Sequence, residues 1–223
     1  FISSNDSSNN IVSLGNGNNT FVLSYCRGNN NIFKSGSGVD TVTLKNLSNT
    51  NFSNNKIYTG DGNDIFNVGD DGTFGYELFG EAGNDIYNIF NSFSYITNVV
   101  VNDTSGNDSI IFTGDYTNSA TKNNLSMYIN VKSDESYDSD LFIFNGDNNK
   151  IKITNYLGDG KIETVQSSDG YKVDLSTIET IAEQVASWLT TNNFDSIQDV
   201  INTGSSEQIA TVTDYFNTAW ISS

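Results

Sequence analysis

Apolar residues recur along the first half of this chain in two interleaved rows. One row holds Phe21, Val42, Phe66, Tyr87 and Ile110, separated by 21, 24, 21 and 23 residues. The other holds Ile11, Ile32, Ile57, Leu78 and Val99, with steps of 21, 25, 21 and 21. Two rows sharing a common step are the product of a solenoid, in which every coil contributes two short strands and two turns. Each coil then buries its apolar face only against its neighbours. The spacing predicts about five coils between residue 1 and about residue 112.

The turns that precede the first row are built from glycine, asparagine and aspartate. The clearest are Thr59-Gly60-Asp61-Gly62-Asn63-Asp64-Ile65-Phe66 and Gly80-Glu81-Ala82-Gly83-Asn84-Asp85-Ile86-Tyr87. Asp103-Thr104-Ser105-Gly106-Asn107-Asp108-Ser109-Ile110 is a third copy. Gly36-Ser37-Gly38-Val39-Asp40-Thr41-Val42 and Gly15-Asn16-Gly17-Asn18-Asn19-Thr20-Phe21 are fainter ones. Glycine lets a turn backbone adopt positive φ and present carbonyl oxygens, and aspartate adds a hard, charged oxygen of the kind calcium prefers. The following apolar residue points into the interior between two sheets. Stacking coils on one edge therefore brings Asp40, Asp64, Asp85 and Asp108 together, with Asn19 at the start. The opposite edge offers Asn9, Asn30, Asn55, Tyr76 and Thr97, without carboxylates. A plainer alternative is that such turns simply join the coils of a β-solenoid that binds no metal.

These repeats resemble the RTX (repeats-in-toxin, haemolysin-type) nonapeptide G-G-x-G-x-D-x-U-x, in which U is a large apolar residue. The resemblance implies a right-handed parallel β-roll with calcium ions held between turns stacked on one edge, the handedness also being that of parallel crossovers generally. Its implied metal ligands are the carboxylates Asp40, Asp64, Asp85 and Asp108 and the turn glycines Gly36, Gly38, Gly60, Gly62, Gly80 and Gly83. The expected ladder is one-sided, strongest at Asp64 and Asp85 and failing toward Asn19. Asp61 is expected outside the ligand set, and Asp70 and Asp71 in a solvated loop.

Beyond about residue 115 the repeat stops. Leu125–Lys132, Leu141–Phe144, Lys150–Tyr156 and Lys161–Val165 read as strands by alternation and by β-branched or aromatic content, with turns at Asn145-Gly146-Asp147 and Gly158-Asp159-Gly160. The string Asp140-Leu141-Phe142-Ile143, then Lys150 to Tyr156, then Ser168-Asp169-Gly170 with Val173 is similar to the region that caps the roll in RTX proteins. A cap is needed because an open last coil exposes strand edges and interior apolar residues. Helices are predicted next: one from a Ser176/Glu179 capping box through Ile178, Ile181, Val185, Trp188 and Leu189, one around Phe194 to Ile201, and one from a Ser205/Gln208 box through Phe216 and Trp220. The expected organisation is a calcium-binding roll at 1–114, a β-rich cap at 115–175 and a helical region at 176–223.

Charge fits this picture. Acidic residues number 27 against 10 basic ones, for a net charge of −17. That excess repels nucleic acid and anionic lipid, and neither is an expected partner. Roughly 4 calcium ions would offset about half of it at two charges each. The chain has no histidine, which removes His-based metal sites and triads, and its single cysteine, Cys26, cannot form an internal disulfide. No apolar run approaches the roughly 20 residues that span a bilayer, so no transmembrane segment is expected. The chain begins at Phe1 rather than Met, and is expected to be part of something longer.

The chain is not expected to be an enzyme. Right-handed β-helices with coils of this size host polysaccharide lyases and hydrolases, which need a cation beside the substrate acid or paired carboxylates. Here Arg27 is the only arginine and Asp70-Asp71 the only adjacent acidic pair in the repeats. Asp134-Glu135-Ser136-Tyr137-Asp138-Ser139-Asp140 lacks the spacing of an EF-hand, and Cys26 has no histidine partner.

Function follows from the resemblance. It implies secretion from a Gram-negative bacterium by type I machinery through an uncleaved C-terminal signal, for which residues from about 165 to 223 are the candidate. The segments Val185-Ala186-Ser187-Trp188-Leu189, Asn193-Phe194-Asp195 and Ala219-Trp220 are similar to the ends of RTX-type S-layer proteins. The expected parent is thus an S-layer or adhesin-type surface protein that self-associates in a lattice. The alternative is an RTX toxin or secreted hydrolase whose catalytic domain lies upstream.

Overall fold

The computed structural model describes residues 2–3, 8–24, 28–45, 54–69, 73–91, 97–114, 120–133, 137–145, 149–156 and 162–222. Tyr25, Cys26, Arg27, Asp70, Asp71, Asp134, Glu135, Asp147, Lys161 and the Gly158-Asp159-Gly160 turn lie outside them.

The repeat region forms β1 (Ile2–Ser3), β2 (Ile11–Ser13), β3 (Thr20–Ser24), β4 (Ile32–Lys34), β5 (Thr41–Lys45) and β6 (Asn55–Asp61). It continues with β7 (Ile65–Val68), β8 (Thr73–Ala82), β9 (Ile86–Asn91), β10 (Thr97–Asn102) and β11 (Ser109–Gly114). Odd-numbered strands stack in parallel in one sheet and even-numbered strands in the other. This is a β-solenoid. It has about three turns, fewer than the five coils expected, and on its even side the strands nearest the start, β2 and β4, are only three residues long.

The odd sheet pairs Phe21, Val42, Phe66, Tyr87 and Ile110 in register, all buried, with Phe66 and Tyr87 stacked at a centroid distance of 4.7 Å. The even sheet departs from expectation. Its inward row is Val12, Phe33, Ile57, Leu78 and Val101, whereas Ile11 is 71% exposed and Ile32 pairs with Lys56 rather than with Ile57. Side chains alternate between faces along a strand, so an offset of one residue turns a core position outward. The corrected row has steps of 21, 24, 21 and 23, identical to those of the odd sheet, as closed coils require.

Cap strands follow: β12 (Leu125–Val131), β13 (Tyr137–Asn145), β14 (Asn149–Ile153), β15 (Thr164–Gln166) and β16 (Tyr171–Val173). β14 adds to β10 and β15 to β11, both in parallel, so each sheet gains one more rung. Antiparallel pairing of β14 with β13 and of β13 with β12 then ends the even sheet. Helices α1 (Ile178–Asn192), α2 (Ile197–Thr203) and α3 (Ser206–Asn217) contact β12, and β17 (Trp220–Ser222) closes the odd sheet against β16. The expected Ser205/Gln208 capping box is formed. The Ser176/Glu179 box is not. Ser176 Oγ donates to Asp174 Oδ1 in a 3-10 turn, and α1 starts from Thr177 without a side-chain cap. Trp220 belongs to a strand, because the chain turns back after α3 to cover an open edge. No helix among the described residues is long and apolar enough to cross a membrane.

Candidate metal centre: a ladder of buried carboxylates

Asp40, Asp64, Asp85 and Asp108 each sit two residues before an inward apolar anchor and are completely buried. Parallel stacking places them one above another. Each carboxylate reaches back one coil through Oδ1. Asp40 accepts from the Asn19 N–H at 2.6 Å, Asp64 from Asp40 at 2.7 Å, Asp85 from Asp64 at 2.7 Å and Asp108 from Asp85 at 2.8 Å. The other oxygen of all four, Oδ2, is buried and meets no donor. A buried charge without a partner is strongly unfavourable, and four in one column call for a cation or for protons.

The opposite edge shows what a satisfied ladder looks like. There Asn31 Oδ1 accepts from the Asn10 N–H and Asn55 Oδ1 from the Asn31 N–H, at 3.0 and 2.9 Å, while Asn55 Nδ2 donates to the Gly28 carbonyl. Asn9, Asn30 and Asn54 form a separate outer ladder at positive φ. The expected row of Asn9, Asn30, Asn55, Tyr76 and Thr97 therefore mixes two columns. Asn55 pairs with Tyr76, and Tyr76 with Val99 rather than Thr97. An amide brings its own donor. A carboxylate does not.

Asn19 heads the acidic column and makes the same point. Its Nδ2 donates to the carbonyls of Gly15 and Gly17, at 2.9 and 2.7 Å, and to Ser35 Oγ. By position, the matching carbonyls are those of Gly36 and Gly38 for Asp40 and of Gly60 and Gly62 for Asp64.

The turn glycines divide in two. Gly38, Gly60, Gly62 and Gly83 have φ of 133°, 94°, 149° and 136°, a region other residues enter with strain. A Cβ on Gly62 would overlap the Gly38 carbonyl, and one on Gly83 the Gly62 carbonyl, so coils also touch backbone to backbone. Gly36 and Gly80, by contrast, do not have positive φ. What they supply is space. At Gly80 a Cβ would overlap Asp85 Oδ2 and lie 2.5 Å from Asp103 Oδ2 and 2.6 Å from Tyr87 Oη.

Burial raises the pKa of Asp64 and Asp108. It carries Asp85 to about 8, offset by the Asp64 N–H and reinforced by the carboxylates of Asp103, Asp64 and Asp108. Asp61 is exposed, as expected.

Two acids missing from the expected set belong to the site. Glu163, in the cap, accepts from the Asp108 N–H through Oε2 at 2.6 Å and so makes the rung after Asp108. Its spacing was the available signal, since it lies two residues before Val165, the partner of Ile110. Asp103 is buried beside Asp85 and Asp108, with ligand oxygens of all three within 4.8 Å of one another. Among the described residues this is the one group of three or more acids close enough to share an ion.

The donor set fits a hard cation: carboxylate oxygens without donors, carbonyl-rich turns, and no nitrogen or sulfur ligand. No protein-family model matches this chain, and neither does any curated protein.

Proposed function

We propose that this chain is a calcium-loaded β-roll that folds when it meets calcium outside the cell and carries no catalysis of its own. The observation that carries this reading is the column of four buried carboxylates whose Oδ2 atoms lack donors. Asp40, Asp64, Asp85 and Asp108 would hold the ions, with carbonyls of the turns around Gly36, Gly38, Gly60, Gly62 and Gly83. The ion neutralises like charges that otherwise oppose coil stacking, so binding free energy becomes folding free energy.

In a cell interior poor in calcium, the −17 chain resists compaction and suits threading through a type I exporter. Outside, calcium at millimolar levels drives the coils together and the cap closes the last one. The parent is a secreted or cell-surface protein of S-layer or adhesin type from a Gram-negative bacterium. This rests on the likeness of the repeats to RTX nonapeptides and of the tail to S-layer ends. The test is circular dichroism in chelator followed by calcium. A β signal and melting temperature unchanged by either step at neutral pH would rule the reading out.

A further inference from the structure

In register with Asp103, the earlier coils place Gly80, Thr59 and Ser35. Those positions hold no carboxylate, so Asp103 is an addition to one turn rather than a rung of the ladder. It is 3% exposed and faces Asp85 and Asp108, which are fully buried. Donors there are few. Asp103 takes the Thr104 N–H on Oδ1 and the Tyr87 hydroxyl on Oδ2, at 2.8 and 2.7 Å. Asp85 Oδ2 and Asp108 Oδ2 take none. Gly80 keeps the space open, since any side chain there collides with Asp85, Asp103 and Tyr87.

We infer that Asp85, Asp103 and Asp108 form a second kind of cation site, made from three side-chain carboxylates and entered by one calcium ion ahead of the ladder. The inference rests on the proposal that the roll binds calcium, and goes beyond it in assigning Asp103 and an order of filling. Ligand oxygens of the three acids lie within 4.8 Å of one another, so a single ion with metal–oxygen bonds of about 2.4 Å is within reach of all three. Three formal negative charges in a dry pocket exceed what Asp40 or Asp64 meets, and ligand charge count sets calcium affinity. Magnesium retains several waters, for which a site closed by Tyr87 and the coil backbone leaves little room.

The experiment is calcium titration by calorimetry on the full chain, with terbium as a luminescent probe excited through tyrosine. Wild type should show one tight step followed by weaker ones, and terbium emission sensitised by Tyr87, whose hydroxyl touches a ligand. Asp103→Asn should weaken or remove the tight step by about tenfold or more. Tyr87→Phe should lower the sensitised emission while calcium still competes. Asp40→Asn should remove weak capacity and leave the tight step.

Asp103→Asn also relieves repulsion among three buried acids, so in chelator it should melt above wild type and gain less from calcium. A tight step unchanged in Asp103→Asn, or a variant that melts lower in chelator and gains as much from calcium as wild type, would overturn the inference. Unchanged stoichiometry in Asp40→Asn and Asp64→Asn would instead sink the ladder and leave the three-carboxylate site standing.

Discussion

Asp85 is bound to Asp64 through only half of its carboxylate: Oδ1 accepts the Asp64 N–H at 2.7 Å, while Oδ2, equally buried, accepts nothing. The same half-satisfied contact repeats at Asp40, Asp64 and Asp108. Hydrogen bonding therefore sets the register between coils and leaves the charge unanswered.

Replacing Asp64 or Asp85 with Asn separates these two roles. Asparagine keeps the Oδ1 acceptor and puts a donor where the orphaned oxygen was, as Asn19 and Asn55 already do. Both variants should melt higher than wild type in chelator and lose much of their response to calcium. At calcium a hundredfold above Kd one site contributes about 2.7 kcal/mol, so that is the expected loss of calcium-induced stabilisation per site removed. Thermal melts with and without chelator read both effects.

The neutral edge behaves differently. Asn55 is buried with both ends engaged, so Asn55→Ala should cost about 1–3 kcal/mol by leaving the Asn31 N–H and the Gly28 carbonyl unpaired. That loss should be the same in chelator and in calcium. Asn30 is exposed in the outer ladder, and Asn30→Ala should change stability little. Denaturant titrations of the two variants in both conditions check this.

Stability without calcium should fall as pH rises. Burial first, then neighbouring acids, raises Asp85 to about 8, and burial with the Asp108 charge raises Asp103 to about 7 despite the Tyr87 hydrogen bond. Both start from 3.8 in the open chain. Between pH 4 and 8 the folded chain thus holds more protons than the unfolded one, and the derivative of stability with pH is negative. The cation-free fold should melt higher at pH 5.5 than at pH 8. Calcium competes with those protons, so its stabilising increment should grow over the same interval. Melts across pH in chelator and in calcium should diverge as pH rises. A cation-free melting point that rises with pH would refute this.

The acidic edge was legible because Asp-x-apolar recurs at the coil step, and that spacing alone placed four of the five acids now found in the ladder. Glu163 obeys the same rule with a longer side chain, but the glycines of Gly158-Asp159-Gly160 lie one residue further from it than Gly60 and Gly62 lie from Asp64, so the motif is not repeated. The even sheet was harder to read. Adjacent apolar residues such as Ile11-Val12 and Ile32-Phe33 leave the face undecided, and the closure condition that both rows share one set of steps was the constraint that decides it. Asp103 could not be placed from spacing. Its meaning depends on Gly80 one coil away, and side-chain convergence across coils leaves no periodic trace. Trp220 departs from its expected helix for a tertiary reason, since it pairs with Val173 of β16, whereas Ser176 is drawn locally to Asp174.

Glu163 joins the cap to the ladder, and this link makes the final prediction. Its Oε2 accepts the Asp108 N–H, and the Glu163 and Thr164 N–H groups return hydrogen bonds to the Asp108 carbonyl at 3.0 Å. The last rung of the roll and the first residues of β15 are therefore held by one reciprocal contact. Glu163→Gln retains an acceptor and should stay within about 0.5 kcal/mol of wild type, as substitutions do when no buried group is orphaned. Glu163→Ala strands the Asp108 N–H and should cost about 1–3 kcal/mol. Because β15 carries β16 and β17 with it, hydrogen exchange should speed up in all three strands of the alanine variant while β6 to β9 stay protected. Uniform loss of protection, or none in β15, would show that the cap is held by its apolar contacts alone.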